Sequence, residues 1–287
     1  MSSIQPAPVH DTTARRLLPP PAPDSKWRQW AAKPAGLIVW RGTSLLDGRT
    51  PVAVILTGMK RGSTNSKTGA MLQTWIVRDD VRPTEALKTG EVDGICGDCI
   101  HGPSKLGSCY VKVFHGPNNA WDIMKGRRRT AWPSQPWYAM ATPEHLDALR
   151  ALQPVIRFGS YGDPAAVPTA VWAALADVAV RFTGYTHAWR YCDPALSAYC
   201  MASIDGDDPV GYAMARAEGW RTFRVRRPDA PTIKGEVVCP ASEEAGYRVQ
   251  CADCTLCMGA TVKARPIVIM AHGAVAKRFK PEGGDDT

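Results

Sequence analysis

Thr142-Pro-Glu-His-Leu-Asp-Ala-Leu-Arg150, followed by Val155-Ile-Arg-Phe158 and by Gly159-Ser-Tyr-Gly-Asp-Pro164, sets the alternation on which the architecture rests. Thr142 is a capping residue and Pro143 stands where a first helical residue should be, so a helix begins there. Val155 to Phe158 has the β-branched and aromatic content of a strand, and a Gly-rich turn with an acid follows it. The same pattern repeats downstream. Val167 to Phe182 is apolar at Val171, Trp172, Leu175, Val178 and Ala179, a helical period, and runs into the strand-like Tyr185-Thr-His-Ala-Trp189. Tyr199 to Ile204 reads as a strand, Pro209 to Glu218 as a helix closed by Gly219, Thr222 to Val225 as a strand, and Pro266 to Met270 as the last one.

Strand and helix alternating at this pace predict right-handed βαβ units. The expected class is α/β, a partial or distorted β/α barrel with mainly parallel strands and Cys-rich metal-binding loops. Ligands in such sheets gather at the carboxyl ends of the strands. Upstream, Gly36 to Trp40, Val52 to Leu56 and Met71 to Val77 also read as strands. The Pro-rich residues 1–25 are expected to be a disordered leader, 26–275 a single domain with its Cys-rich segment at 236–262, and 276–287 a flexible tail.

Nine cysteines in 287 residues fall into two groups and a loose pair. The first group is Cys96, Cys99 and Cys109 (C-x2-C-x9-C). The pair is Cys192 and Cys200, read as small buried apolar residues. The second group is Cys239, Cys251, Cys254 and Cys257 (C-x11-C-x2-C-x2-C). Thiols two residues apart come close without help from tertiary structure, as a soft metal or an iron–sulfur cluster requires. The C-x2-C-x2-C core matches the first three ligands of a ferredoxin run, with Cys239 as a fourth thiolate; a structural zinc site with four Cys is the competitor. The first group has three thiols and no local fourth. Either a small molecule completes it, or His101 or Cys192 closes it, or it is a zinc site using His101 or His115.

No apolar run approaches the roughly 18 residues of a membrane span, and the amino-terminal stretch lacks the order of a signal peptide. A chain of this size with clustered thiols is expected in reducing cytoplasm, with no membrane partner. The net charge of +8 is concentrated in Arg127-Arg128-Arg129, in Arg221, Arg224, Arg226 and Arg227, and in Lys277, Arg278 and Lys280. These basic segments read either as a solvated face or as contacts for nucleic acid or a host protein.

Three further residues enter from position. Tyr185, His187 and Trp189 would share one face of a strand, which makes His187 either a ligand or proton donor in a barrel interior or a satisfied core residue. Asp163 is equally a helix cap or a ligand contact. His272, just after the last strand, is a pocket candidate.

Ser108-Cys109-Tyr-Val resembles the end of the three-cysteine loop of the radical S-adenosylmethionine superfamily, and Gly159-Ser-Tyr-Gly-Asp163-Pro resembles its turn for the methionine amino group. Here C-x2-C-x9-C stands where that family has C-x3-C-x2-C, and Asp163 where Glu is commoner. The resemblance implies a partial β/α barrel, one or two [4Fe-4S] clusters and S-adenosylmethionine cleaved reductively to a radical. It places the cofactor on Gly159, Ser160, Tyr161, Gly162, Asp163 and His187, with the C-terminal four Cys as an auxiliary cluster and an electron donor as partner. Residues from about 57 to 275 also resemble a family of actinobacteriophage proteins, the gene-product-eighty-eight type. That likeness rests on Gly94-Ile-Cys-Gly-Asp-Cys99, the same Gly159 turn, Thr183-Gly-Tyr-Thr-His-Ala-Trp189, Gly219-Trp-Arg-Thr-Phe-Arg-Val225 and Cys239-Pro-Ala-Ser-Glu-Glu. It implies a bacteriophage protein in host cytoplasm and no particular activity. The expected function is iron–sulfur binding with radical chemistry on an unknown substrate; the alternative is a zinc-stabilised, non-enzymatic binder of host nucleic acid or a host protein.

Overall fold

The computed structural model describes residues 33–60, 63, 65–127, 137–206, 208–254 and 256–279. The expected leader and the last eight residues of the expected tail lie outside the described residues, as do Arg128, Arg129 and Lys280.

The fold is mixed α/β, built on two sheets. Strands β1 (Gly36–Thr43), β2 (Pro51–Thr57) and β3 (Leu72–Arg78) form an antiparallel meander. Helices α1 (Pro83–Thr89) and α2 (Gly116–Met124) follow. The strand β4 (Tyr138–Met140) then adds parallel to β1. Helix α3 (Pro143–Leu152) leads to β5 (Val155–Tyr161), which pairs parallel with β3, and α4 (Thr169–Val178) leads to β6 (Arg181–Thr183). The first sheet therefore runs β4-β1-β2-β3-β5-β6.

Gly184 carries the chain into the second sheet, whose first strand is β7 (Tyr185–Thr186). The strand β8 (Met201–Asp205), helix α5 (Pro209–Ala217), and strands β9 (Thr222–Arg226), β10 (Val237–Val238) and β11 (Ile267–Met270) complete it. Its order is β10-β11-β9-β8-β7, and every pairing is parallel. Among the described residues each sheet ends in edge strands and no barrel closes.

Local sequence explains the best-formed elements. Thr142 caps α3: its hydroxyl accepts from the His145 N–H, and His145 answers the Thr142 N–H. Strand β2 is apolar throughout because both of its faces are covered; Val52 to Leu56 are each at 1 % exposure or less. Full burial of a Val, Leu or Ile side chain is worth about 1.5–3 kcal/mol. In β5 the period of two sends Phe158 onto Trp172 of α4 and onto Phe182, while Arg157, Gly159 and Tyr161 take the opposite face.

Two expectations are corrected. The strand expected over 185–189 stops after Thr186, because Asp163 takes the His187 N–H and the Thr186 hydroxyl takes the Ala188 N–H. Trp189 consequently packs in the main core, while Tyr185 packs against the cluster of Met201, Ile267 and Ile269. The two do not share a face. The order expected to end at 275 also continues: Ala276–Arg278 makes a 3-10 turn, and Phe279 is buried with its ring 5.1 Å from that of His101.

Candidate metal centre and its polar surroundings

The three thiols of the first group lie beyond the carboxyl end of β5, each acted on by the others. Cys96 ends the helical turn Asp93–Cys96, and the Asp163 N–H donates to the Ile95 carbonyl at 2.6 Å, which ties that turn to the end of β5. The loop from Cys99 to Cys109 folds back on itself: Gly102 N–H reaches the Cys99 carbonyl and Cys109 N–H the His101 carbonyl. Burial first, then the neighbouring thiols of Cys99 and Cys109, pushes the Cys96 thiol well above its ordinary value. The three sulfurs are thus within electrostatic reach of one another. Cys96 and Cys99 are half-buried and Cys109 is exposed.

The turn at the end of β5 is a tightly packed cap. Gly159 and Gly162 have φ of +63° and +78°, and a Cβ on Gly162 would stand 2.7 Å from Ile76. Asp163 is buried; its Oδ1 accepts from Ala165 N–H at 2.9 Å and its Oδ2 from His187 N–H at 2.7 Å. The capping reading of Asp163 is therefore realised, and the carboxylate also fixes His187. Ser160 turns away and donates to Gln73.

Tyr161 is the informative member of that turn. Its hydroxyl is buried, has no hydrogen-bond partner among the described residues, and sits where Cys96 and Cys109 act on it. A buried, unpaired hydroxyl costs about 1–3 kcal/mol. A group held on the thiols and carrying acceptor atoms would satisfy it, so these residues fit such a group.

Sequence reasoning missed Asp205. It ends β8 and bridges two imidazoles, with Oδ1 3.0 Å from His101 Nε2 and Oδ2 3.1 Å from His187 Nδ1. Burial would raise its carboxyl, yet facing His187 and His101 holds it far below the carboxylate range. His101 also shares a 2.6 Å hydrogen bond with Ser108. With both nitrogens engaged, His101 does not close the three-thiol group. His187 is the imidazole that reaches it: although burial opposes its charge, Asp205 and the Cys99 thiol raise its pKa well above the usual value. His115 lies at the start of α2 against Phe114. Cys200 is buried, as expected, and Cys192 is half-buried; both feel Asp163.

The second group is set into the second sheet. Cys239 N–H donates to the Val268 carbonyl of β11, the Cys257 carbonyl accepts from Gly184 N–H, and Cys251 N–H donates to the Lys67 carbonyl. Cys239 and Cys257 are buried in the apolar cluster of Met201, Ala241, Ile267 and Ile269. Burial pushes the Cys257 thiol up to about 12; Tyr185 opposes the shift, and Cys239, Cys254 and Cys251 add to it. Cys239, Cys251 and Cys254 lie within electrostatic reach of Cys257. Among the described residues, however, no three His, Cys, Asp or Glu side chains are placed to hold a single metal ion.

A polar chain touches both groups. Tyr110, the residue after Cys109, accepts a hydrogen bond from Arg157, and its ring lies 5.1 Å from that of His272. His272 Nε2 is 3.1 Å from Lys67 Nζ. Burial first, then Lys67 and Arg157, pushes His272 down to about 4, so it is a neutral acceptor.

The basic segment at 221–227 behaves unlike the expectation, whereas Arg127, Lys277 and Arg278 are exposed. Arg224 forms a fully buried bidentate pair with Glu236 at 2.8 and 2.7 Å. Arg226 pairs with Glu244, Arg227 with Asp229, and Arg221 donates to the carbonyls of Leu256, Gly259, Ala264 and Arg265. This segment is internal scaffolding because β9 carries it through the sheet. A different cationic surface exists: exposed Arg216, Lys234, Lys263 and Arg265 line a cleft of about 680 Å³ beside Tyr212. No helix among the described residues is long and apolar enough to cross a membrane.

No family model matches the chain, and neither a curated protein nor a solved structure matches it.

Proposed function

We propose that the chain binds iron–sulfur clusters, one on Cys96, Cys99 and Cys109 and one on Cys239, Cys251, Cys254 and Cys257. The observation that carries this reading is the unpaired Tyr161 hydroxyl buried against two of three gathered thiols. Four thiolates around one zinc must meet tetrahedrally at about 2.3 Å from it. A cubane spreads its thiolates over several metals. When bound, a cluster with an open iron supplies one-electron chemistry. The chain's own residues would then hold the small molecule: Gly159 and Gly162 let the backbone approach, Tyr161 donates, and Asp163 holds His187 at the site.

The position of the three-thiol group, beyond the carboxyl ends of parallel strands, supports the radical S-adenosylmethionine-like reading and the idea of a half-formed barrel running through Gly184. The likeness to bacteriophage proteins accords with both. Reduction in the presence of S-adenosylmethionine should yield deoxyadenosine if the reading holds, and an iron-loaded protein that never makes it contradicts the radical part.

The second reading, a non-enzymatic nucleic-acid binder, is favoured by the Arg216, Lys234, Lys263 and Arg265 cleft. Its test is the slope of log affinity for DNA or RNA against log salt, to which each phosphate neutralised by the protein adds about 0.7–0.9. Lys263→Gln should make that slope shallower; a slope unchanged by Lys263→Gln and Arg265→Gln rejects the cleft.

A further inference from the structure

Arg157 and Lys67 are held differently from the ion-paired cations of this chain. Arg224, Arg226 and Arg82 each face a carboxylate, of Glu236, Glu244 and Asp122. Arg157 instead meets the hydroxyl of Tyr110, and Lys67 the imidazole of His272; no carboxylate pairs with either among the described residues. Both cations are half-buried. Two positive groups held partly out of water repel one another, and the groups of opposite tendency within their reach are the Cys251 thiol, which both cations pull down, and the Cys239 thiol, which Lys67 pulls down.

The four residues come from four separate segments: the loop before β3, the end of the first cysteine loop, the inner face of β5, and the residue pair after β11. They meet between the two cysteine groups. Tyr110 is bonded in sequence to Cys109, while the Lys67 carbonyl accepts from Cys251 N–H at 3.0 Å. The exposed Tyr110 ring gives an approach from solvent.

We propose that Lys67 and Arg157, framed by Tyr110 and His272, bind an oxyanion, the carboxylate or phosphate of a small molecule. Arg157 presents a planar fork that suits two oxygens and Lys67 a point charge beside it. Tyr110 adds a hydroxyl that can turn from Arg157 to the ligand, and His272 accepts from Lys67 without competing for the anion. That the ligand is a substrate rests on the iron–sulfur reading above; that an oxyanion binds does not.

The test is titration of the whole protein with inorganic phosphate and, separately, with acetate, followed by calorimetry and by the ring resonances of Tyr110 and His272. Saturable binding should weaken about 10-fold or more in Lys67→Gln and in Arg157→Gln, a few-fold in Tyr110→Phe, and stay unchanged in Lys88→Gln, whose ammonium lies on the exposed face of α1. Preference between the two probes identifies the source as phosphate or carboxylate. No saturable binding of either probe, or binding that Lys67→Gln and Arg157→Gln leave intact, overturns the proposal. So does a wild-type protein that binds neither probe while the same variants lose iron, which would make the two cations counter-charges for thiolates. Binding with this dependence in a protein that never holds iron sustains the oxyanion site and defeats the cluster reading alone.

Discussion

The two cysteine groups of this chain stand in opposite surroundings. Of the four C-terminal thiols, Cys239 and Cys257 are buried under the second sheet with Met201, Ala241, Ile267 and Ile269, while Cys251 and Cys254 are half-buried; backbone hydrogen bonds with β11, Gly184 and Lys67 hold their loop. The three N-terminal thiols sit at strand ends, beside a hydroxyl, two imidazoles and two carboxylates. Apolar packing makes the first a structural element, whose loss the second sheet would feel. Polar, partly open surroundings make the second a place where a small molecule can meet the protein.

Substitutions on the two sides put this contrast at risk. The largest effect is expected from Cys251→Ala with Cys254→Ala: if these thiols hold the proposed cluster, its loss should cost several kcal/mol, on the order of 5, and a thermal melt should show it. Cys96→Ala with Cys99→Ala should leave the melt within about 1 kcal/mol while abolishing any small-molecule binding at the strand ends. Equal losses in the two double variants would erase the distinction.

Glu236→Gln comes next. It leaves Arg224 buried without its counter-charge and should cost about 3–5 kcal/mol in denaturant unfolding, with metal content per folded molecule unchanged. That outcome separates the packing of the second sheet from its thiols; loss of metal together with stability would join them.

Asp205→Asn acts only on the N-terminal side. It removes the charge facing His101 and His187 and should cost about 1–3 kcal/mol, with the C-terminal group unaffected. The smallest change is Tyr161→Phe. Deleting an unpaired buried hydroxyl should leave stability of the metal-free protein unchanged or higher by about 1 kcal/mol, yet lower the metal retained by the three-thiol group. A clear destabilisation of the metal-free protein would show that the hydroxyl already has a partner.

The sequence was legible where a physical signal is local. Val52 to Leu56, the Thr142 cap and the Val155 strand are read from neighbouring residues, and the structure places elements there. Helix α2 escaped because Gly116-Pro-Asn-Asn reads as a turn, although Pro117 in the first turn is acceptable to a helix. Strands β4 and β10, of three and two residues, carry too little pattern to be seen. The end of β7 was misread because Asp163, far upstream, takes the His187 N–H.

The polar half of the site was hidden for the same reason. Lys67 and His272 meet across a sequence separation of 205 residues, and Asp205 reaches His101 across 104. Position made His272 and His101 candidates, but nothing in the neighbourhoods of Lys67 and Asp205 marks them as partners. The arginines of β9 misled in the other direction: a run of basic residues on a strand suggested a surface, but the period of two and the glutamates at 236 and 244 turn Arg224 and Arg226 inward.

Whether both groups hold iron–sulfur clusters is decided by oxygen-free purification followed by metal and sulfide analysis. The expected result is a brown protein with broad visible absorption and with iron and acid-labile sulfide in equal amounts, reduced but not abolished by Cys96→Ala with Cys99→Ala. A colourless protein carrying zinc and no sulfide would contradict the cluster assignment at both groups.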